Sequence, residues 1–184
     1  MIEVTSSFGR CIEENTFATA WVHREVGPGM ADLIRAHSEK DLAEVAELFR
    51  EYAEWLAIEK SSCKIETTIS EFPGQYGPPD GCLLLARRDG QAAGCVALRR
   101  FDDDKCEMKR LYVRPALIGL GIGRALATAI ITEARRLGYH KMRLDSIADQ
   151  MAEAVSLYRS LGFREISPYG DHPEGCTLFM ELDL

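Results

Sequence analysis

The sequence predicts an α/β fold in which one mixed sheet (α+β in its first half) carries helices on both faces. Three observations carry the prediction. Apolar runs separated by short turn signals, Asp89-Gly90 and Asp102-Asp103-Asp104, read as a meander of antiparallel strands. Strand and helix patterns alternate after that, as strand-helix-strand crossovers require. A turn with three glycines, Gly119, Gly121 and Gly123, joins the last meander strand to the first crossover helix.

Residues 1–30 have no clean period and end in Gly27-Pro28-Gly29, so they read as an N-terminal extension. Residues 31–184 read as one domain. Leu33 to Arg35 suits a short strand. Ser38 is a good N-cap, with Glu39 and Asp41 in the first turn, and Leu42, Val45, Phe49, Tyr52 and Leu56 keep helical spacing. Ile65 to Phe72 suits a second, short helix, stopped at Pro73-Gly74, and residues 74–81 suit a loop. Strands are expected over Cys82 to Arg87, Ala93 to Phe101 and Cys106 to Val113. A helix follows, with Leu126, Ile130, Ala134 and Leu137 on one face and Gly138 as its stop. Met142 to Asp145 is a strand, Met151 to Ser160 a helix, and Phe163 to Ile166 and Thr177 to Leu182 are closing strands. The expected order is β-α-α-β-β-β-α-β-α-β-β, without an internal repeat.

A chain of 184 residues is long enough to bury a sizeable core. Its formal net charge of −7 argues against a nucleic-acid partner, which would favour a basic face. The same balance favours a cationic acceptor in a local acidic cleft. No apolar run approaches the roughly 20 residues needed to span a bilayer, so no membrane role is expected. Residues 1–10 lack the apolar stretch of a secretory signal. The six cysteines and four histidines form neither a CxxC nor an HExxH pattern, so neither a metal site nor a disulfide framework is expected. Cys82, Cys95 and Cys106 read as small buried hydrophobes, and a reducing cytoplasm is the expected compartment.

The chemically informative stretch is Val113-Arg-Pro-Ala-Leu-Ile-Gly-Leu-Gly-Ile-Gly-Arg124. Successive backbone amides in such a turn converge on one anion, and the helix that follows adds its positive dipole end. A phosphate or pyrophosphate is the natural guest; a plain packing turn is the structural alternative. A P-loop requires Gly-Lys-Ser/Thr, whereas Gly123 is followed by Arg124-Ala125. A dinucleotide turn requires GxGxxG, and the last glycine is missing whether counted from Gly119 or from Gly121. Asp145, which imitates the ribose-binding acid, is then a decoy.

Together, Glu107-Met-Lys-Arg-Leu-Tyr-Val-Arg-Pro115, the Gly-Leu-Gly-Ile-Gly-Arg turn and Leu157-Tyr-Arg-Ser-Leu-Gly-Phe163 resemble the GNAT (Gcn5-related N-acetyltransferase) superfamily over about residues 33–184. The resemblance implies a GNAT-like acyl-CoA N-acyltransferase fold, acetyl-CoA as co-substrate and transfer of an acetyl group to a primary amine. It implies that Leu111, Tyr112 and Val113 lie along the pantetheine arm. It likewise implies that Ile118, Gly119, Leu120, Gly121, Ile122, Gly123 and Arg124 hold the pyrophosphate. Two positions depart from the family pattern: Ile118 stands where Gln or Arg is usual, and Met151 where many members carry Asn. Family members are often dimers, which leaves a homodimer open.

The resemblance further implies Tyr158 as the acid that protonates the leaving thiolate and Glu107 as the base that takes a proton from the amine. Each has a structural alternative. Tyr158 shares a helical stripe with Met151, Ala154 and Val155, which suits a core position. Glu107 could instead pair with Lys109 or Arg110. Those two cations could meet the CoA phosphates or an anionic substrate, or lie on a solvated face. A backbone amide near Val113 is the expected oxyanion donor. Tyr169, Asp171 and His172, and the region from Trp55 to Ile69, are expected to border the acceptor, with a plain surface loop as the alternative for the first three. The acceptor itself stays open between a small molecule and a protein or peptide N-terminus. A non-catalytic acyl-CoA-binding module is the alternative function.

Overall fold

The computed structural model describes residues 31–184 apart from 57, 58, 149 and 171–176, with the side chains of 59–64 also outside the description. The expected N-terminal extension lies outside the described residues. The strands are β1 (Asp32–Arg35), β2 (Cys82–Arg88), β3 (Gln91–Arg100), β4 (Lys105–Val113), β5 (Lys141–Ser146), β6 (Arg164–Glu165) and β7 (Leu178–Asp183). The helices are α1 (Glu39–Leu56), α2 (Glu59–Ser70), α3 (Ile122–Arg136) and α4 (Ala152–Ser160). One seven-stranded sheet has the order β1-β2-β3-β4-β5-β7-β6. All neighbours are antiparallel except β4 and β5, which run parallel through the α3 crossover. No helix among the described residues is long and apolar enough to cross a membrane.

Local chemistry sets the helix ends. The Ser38 hydroxyl accepts the Asp41 amide at 3.2 Å, while the Asp41 carboxylate accepts the Ser38 amide at 3.2 Å. This reciprocal pair caps α1. At the end of α3 the Gly138 amide donates to Arg135 O and the Tyr139 amide to Ala134 O. At the end of α4 the Gly162 amide donates to Arg159 O and the Phe163 amide to Tyr158 O. Both are Schellman endings, and both glycines take the required positive φ, 90° and 96°. The Leu-Gly-Phe ending is therefore a helix stop. Three expectations shift in detail. α2 starts at Glu59, six residues before the expected Ile65, and ends at Ser70. A short 3-10 turn occupies Gly74–Tyr76 inside the expected loop, and β6 shrinks to two residues at the sheet edge.

The core has two layers. Under α3 and α4 lie Leu84, Val96, Leu98, Met108, Leu126, Ile130, Met142, Leu144 and Met180. Truncating a fully buried side chain such as Ile130 to Ala would cost about 2–5 kcal/mol. Under α1 and α2 lie Val45, Leu48, Phe49, Ile65, Leu85 and Cys95. This second layer reaches only as far as β4. Beyond it the α1-side face of β5 and β7 carries Arg143, Asp145, Phe179 and Glu181, since Met142, Leu144, Met180 and Leu182 alternate to the other face.

Candidate active site

The site forms where β4 parts from β5. Pairing covers only Lys105, Cys106 and Glu107 of β4, opposite Lys141, Met142 and Arg143. From Met108 onward the β5 flank of β4 is open, while its β3 flank stays paired to Val113. The Arg114 amide donates to Ala93 O of β3 at 3.0 Å. By the alternation of a strand, the amides of Leu111 and Val113 then point into the gap. Gly94 makes the β3 pairing possible there, because a Cβ on it would lie 2.5 Å from Tyr112 O.

A bulge sits inside β4. Cys95 pairs with Tyr112 and Ala97 with Lys109, so β4 holds one more residue than β3 in that interval. Arg110 takes the strain at φ 57°, a rare left-handed value for a residue with a Cβ. The extra residue resets the alternation. Cys106 and Met108, then Leu111 and Val113, face the α3 layer. Tyr112 packs in the α1 layer instead, and the Arg110 guanidinium lies 5.8 Å from the centre of the Tyr52 ring on α1. The Tyr112 side chain thus belongs to the α1 layer, with its hydroxyl donating to Glu51 at 3.4 Å.

The glycine turn lies at the end of the gap, on the α3 side. Gly119 and Gly121 have φ of 86° and 81°, and a Cβ on either would meet nothing within 4 Å. These positions need glycine for conformation, and the space above them is open. Gly121 is the N-cap of α3 and brings no side-chain cap. Among the described residues the amides of Gly119 to Arg124 have no hydrogen-bond partner; the first turn closes at the Ala125 amide on Gly121 O. Ile118 and Leu120, 54% and 47% exposed, flank this row. The Arg124 guanidinium donates to Ser160 Oγ of α4 at 2.9 Å.

Tyr158 of α4 is 5% exposed and packs in the α3-side core. Its ring rests on Phe163, 5.8 Å between centroids. Burial raises its phenol above the ordinary range, with the nearby Tyr52 and Asp145 adding to the shift. Among the described residues its hydroxyl has no hydrogen-bond partner. A neutral, unengaged O–H is equipped to donate a proton. The core alternative is half right: the ring is core, and the hydroxyl is not used by it.

Glu107 is 3% exposed and holds the fork of the gap. Arg99 Nε of β3 donates to its Oε2 at 2.6 Å, and the Tyr169 hydroxyl donates to its Oε1 at 3.1 Å. Lys109 Nζ lies 3.4 Å from the same Oε1 and also pairs with Asp145 of β5. The carboxylate is engaged on both oxygens, chiefly by Arg99 rather than by Lys109 or Arg110. Lys109 is not on a solvated face, since its side chain is 14% exposed in this cluster. Arg143 stacks on the Tyr169 ring at 4.8 Å and donates to Glu181 at 2.8 Å. Asp171 and His172 lie outside the described residues. On the other rim, Tyr52 and Trp55 stack at 6.3 Å.

Arg99, Asp145 and Tyr52 carry much of this geometry and were not singled out as site residues by the sequence. Arg99 was within reach: counting outward from the Asp102–Asp104 turn puts it opposite Glu107. Asp145 and Tyr52 depend on how β5 and α1 dock, which no local pattern encodes.

Comparison with known proteins agrees with this architecture. The family model described as "Acetyltransferase (GNAT) family" matches residues 42–163. An uncharacterised N-acetyltransferase of Schizosaccharomyces pombe is 37% identical over 147 residues, covering 79% of this chain and 90% of that protein. N-acetylaspartate synthetase of Danio rerio is 32% identical over 66% of this chain and 43% of its own length. An acetyltransferase structure from Streptococcus agalactiae superposes with a TM-score of 0.72 at 18% identity, covering 84% of this chain and 98% of that one. With the parted strands, the free amide row and these matches together, the chain belongs to the GNAT family and is an N-acetyltransferase.

Proposed function

We propose that the protein transfers an acetyl group from acetyl-CoA to the primary amine of a small molecule by direct attack in a ternary complex. The observation that carries this reading is a pair of backbone donor sites, the open flank of β4 and the unpartnered amides of the glycine turn. The amides of Leu111 and Val113 bind the pantetheine arm, and those of Gly119 to Arg124 hold the pyrophosphate at the positive end of α3. The donor's thioester then lies in the gap beside Tyr158.

The Val113 amide stabilises the oxyanion as the amine nitrogen bonds to the acetyl carbon. Tyr158 donates its proton to sulfur as the carbon–sulfur bond breaks. The ammonium proton leaves through Oε1 of Glu107, whose Oε2 Arg99 holds in place. Tyr169 and Lys109 share that oxygen and orient it. The free thiols Cys82, Cys95 and Cys106 are buried, which suits work in a reducing cytoplasm.

Calorimetric titration with acetyl-CoA, with NAD and ATP as controls, tests the reading at its base. Saturable binding of acetyl-CoA alone supports it, and thiol release on addition of amines completes it. Binding of NAD in place of acetyl-CoA would overturn it.

A further inference from the structure

Arg110 is the feature of the site that acetyl transfer as described leaves unused. The bulge of β4 turns it to the α1 side at the cost of a left-handed backbone, which the fold keeps despite the strain. It lies over Tyr52, 5.8 Å from the ring centre, and Tyr52 in turn packs on Tyr112 of β4 and Trp55. The guanidinium therefore sits among aromatic rings on the α1-side rim of the gap.

Four other described cations of this face are neutralised within the protein. Arg99 is taken by Glu107, Lys109 by Asp145 and Glu107, and Arg143 and Lys141 by Glu181. Among the described residues Arg110 has no carboxylate partner, and its Nε is buried without any hydrogen bond. An arginine with an unmatched buried donor beside aromatic rings is a poor structural element and a good anion receptor.

The donor's phosphates are not the anion it suits. The glycine turn lies on the α3 side, where Ile122 is buried in the α3 layer, and follows Val113, about 10 Å along the strand from Arg110. Arg110 faces the opposite side, the side from which an acceptor enters beneath Tyr52 and Trp55. We infer that Arg110 binds a carboxylate of the acceptor, so that the acceptor class is amines bearing a carboxylate, amino acids first among them. This rests on the proposed transfer from acetyl-CoA and names its second substrate. The kinship with a synthetase named for N-acetylaspartate, itself an N-acylated amino acid, is in keeping with it.

The test is a thiol-release assay on matched pairs, each L-amino acid against its own carboxamide, with the wild type, Arg110→Gln and Arg110→Lys. The wild type is expected to favour the acid of its best pair by about 100-fold in kcat/KM, mostly through KM. In Arg110→Gln that ratio is expected to collapse toward one, with Arg110→Lys between. A ratio within one preparation does not depend on the fraction folded. Equal or better use of the carboxamide by the wild type would overturn the inference. So would a preference that survives Arg110→Gln. Acetyl-CoA binding without turnover of any pair overturns it as well, whereas failure to bind acetyl-CoA sinks the parent reading.

Discussion

The two flanks of the gap beside β4 are built from different material. The α3 flank is backbone: an open strand edge and a glycine turn whose amides have no partner among the described residues. The α1 flank is side chain: Arg99, Glu107, Lys109, Asp145 and Tyr169 converge there from four segments of the chain. Backbone recognition depends on conformation and is indifferent to most side chains. A side-chain network depends on each member. The donor flank should then tolerate substitution wherever φ is ordinary, and the acceptor flank should fail or change specificity one residue at a time.

Tyr158 bridges the two flanks, and the largest expected effect falls on it. Tyr158→Phe keeps the ring on Phe163 and removes only the hydroxyl, so kcat should fall about 10²- to 10⁴-fold with acetyl-CoA affinity retained. Rapid-quench and calorimetric measurements separate the two. Unchanged turnover would return Tyr158 to the core alone. On the donor flank the sharp test is Gly121→Val. A β-branched residue at φ 81° is strained by about 1–2 kcal/mol, and it also distorts the amide row. Acetyl-CoA binding should weaken at least tenfold in titration, more than for any exposed side chain of the turn.

Glu107→Gln decides how far the acceptor flank is catalytic. If Oε1 takes the ammonium proton, kcat/KM should drop about 100-fold and its rise with pH should change shape. If the carboxylate serves only as the anchor of Arg99, Lys109 and Tyr169, thermal stability falls while the shape of the pH profile stays. The pH profile, not the size of the loss, separates these outcomes.

Legibility followed the same division. The backbone of the α3 flank could be read in advance because a glycine turn, a helix start and a Leu-Gly-Phe stop are local signals, each set by backbone conformation. Gly119, Gly121 and Gly162 stand at positive φ as such turns require. The α1 flank was legible in Glu107, in its pairing with Lys109 and, in outline, in Tyr169. The bulge at Arg110 leaves no mark in composition or period, and it reverses which side of the strand every later residue faces. Asp145 read as a decoy for a ribose-binding acid because the glycine spacing fails; its pairing with Lys109 was not legible, since it lies across a gap that only the assembled sheet creates.

Alkaline pH probes the packing behind both flanks with a smaller effect. Burial pushes the Cys82 and Cys106 thiols up to about 12 under α3, and the Tyr112 phenol under α1 also to about 12. These are raised values for groups neutral when protonated, so the unfolded chain gives up its protons first. Their stabilising effect is complete below the ordinary thiol range near 9 and is lost as pH rises toward 12. Each thiol contributes a slope of up to about 1.4 kcal/mol per pH unit. The Tm should be level from pH 7 to about 8.5 and fall steadily above 9, and Cys106→Ala should shallow that fall.

The smallest effect is expected at Ile118, where the family usually places Gln or Arg. Its side chain is 54% exposed, and its amide already donates to Pro115 O at 3.3 Å, one residue before the free amides begin. Neither its backbone nor its side chain is needed by a row that starts at Gly119. Ile118→Gln adds one solvent-competed donor, worth at most a modest hydrogen bond. Acetyl-CoA affinity should therefore move by less than about threefold in calorimetry. A tenfold gain would mean that side chains share the binding on the donor flank too. The contrast between a backbone flank and a side-chain flank would then be one of degree, and Arg124, now tied to Ser160, would be the next residue to test for release onto the ligand.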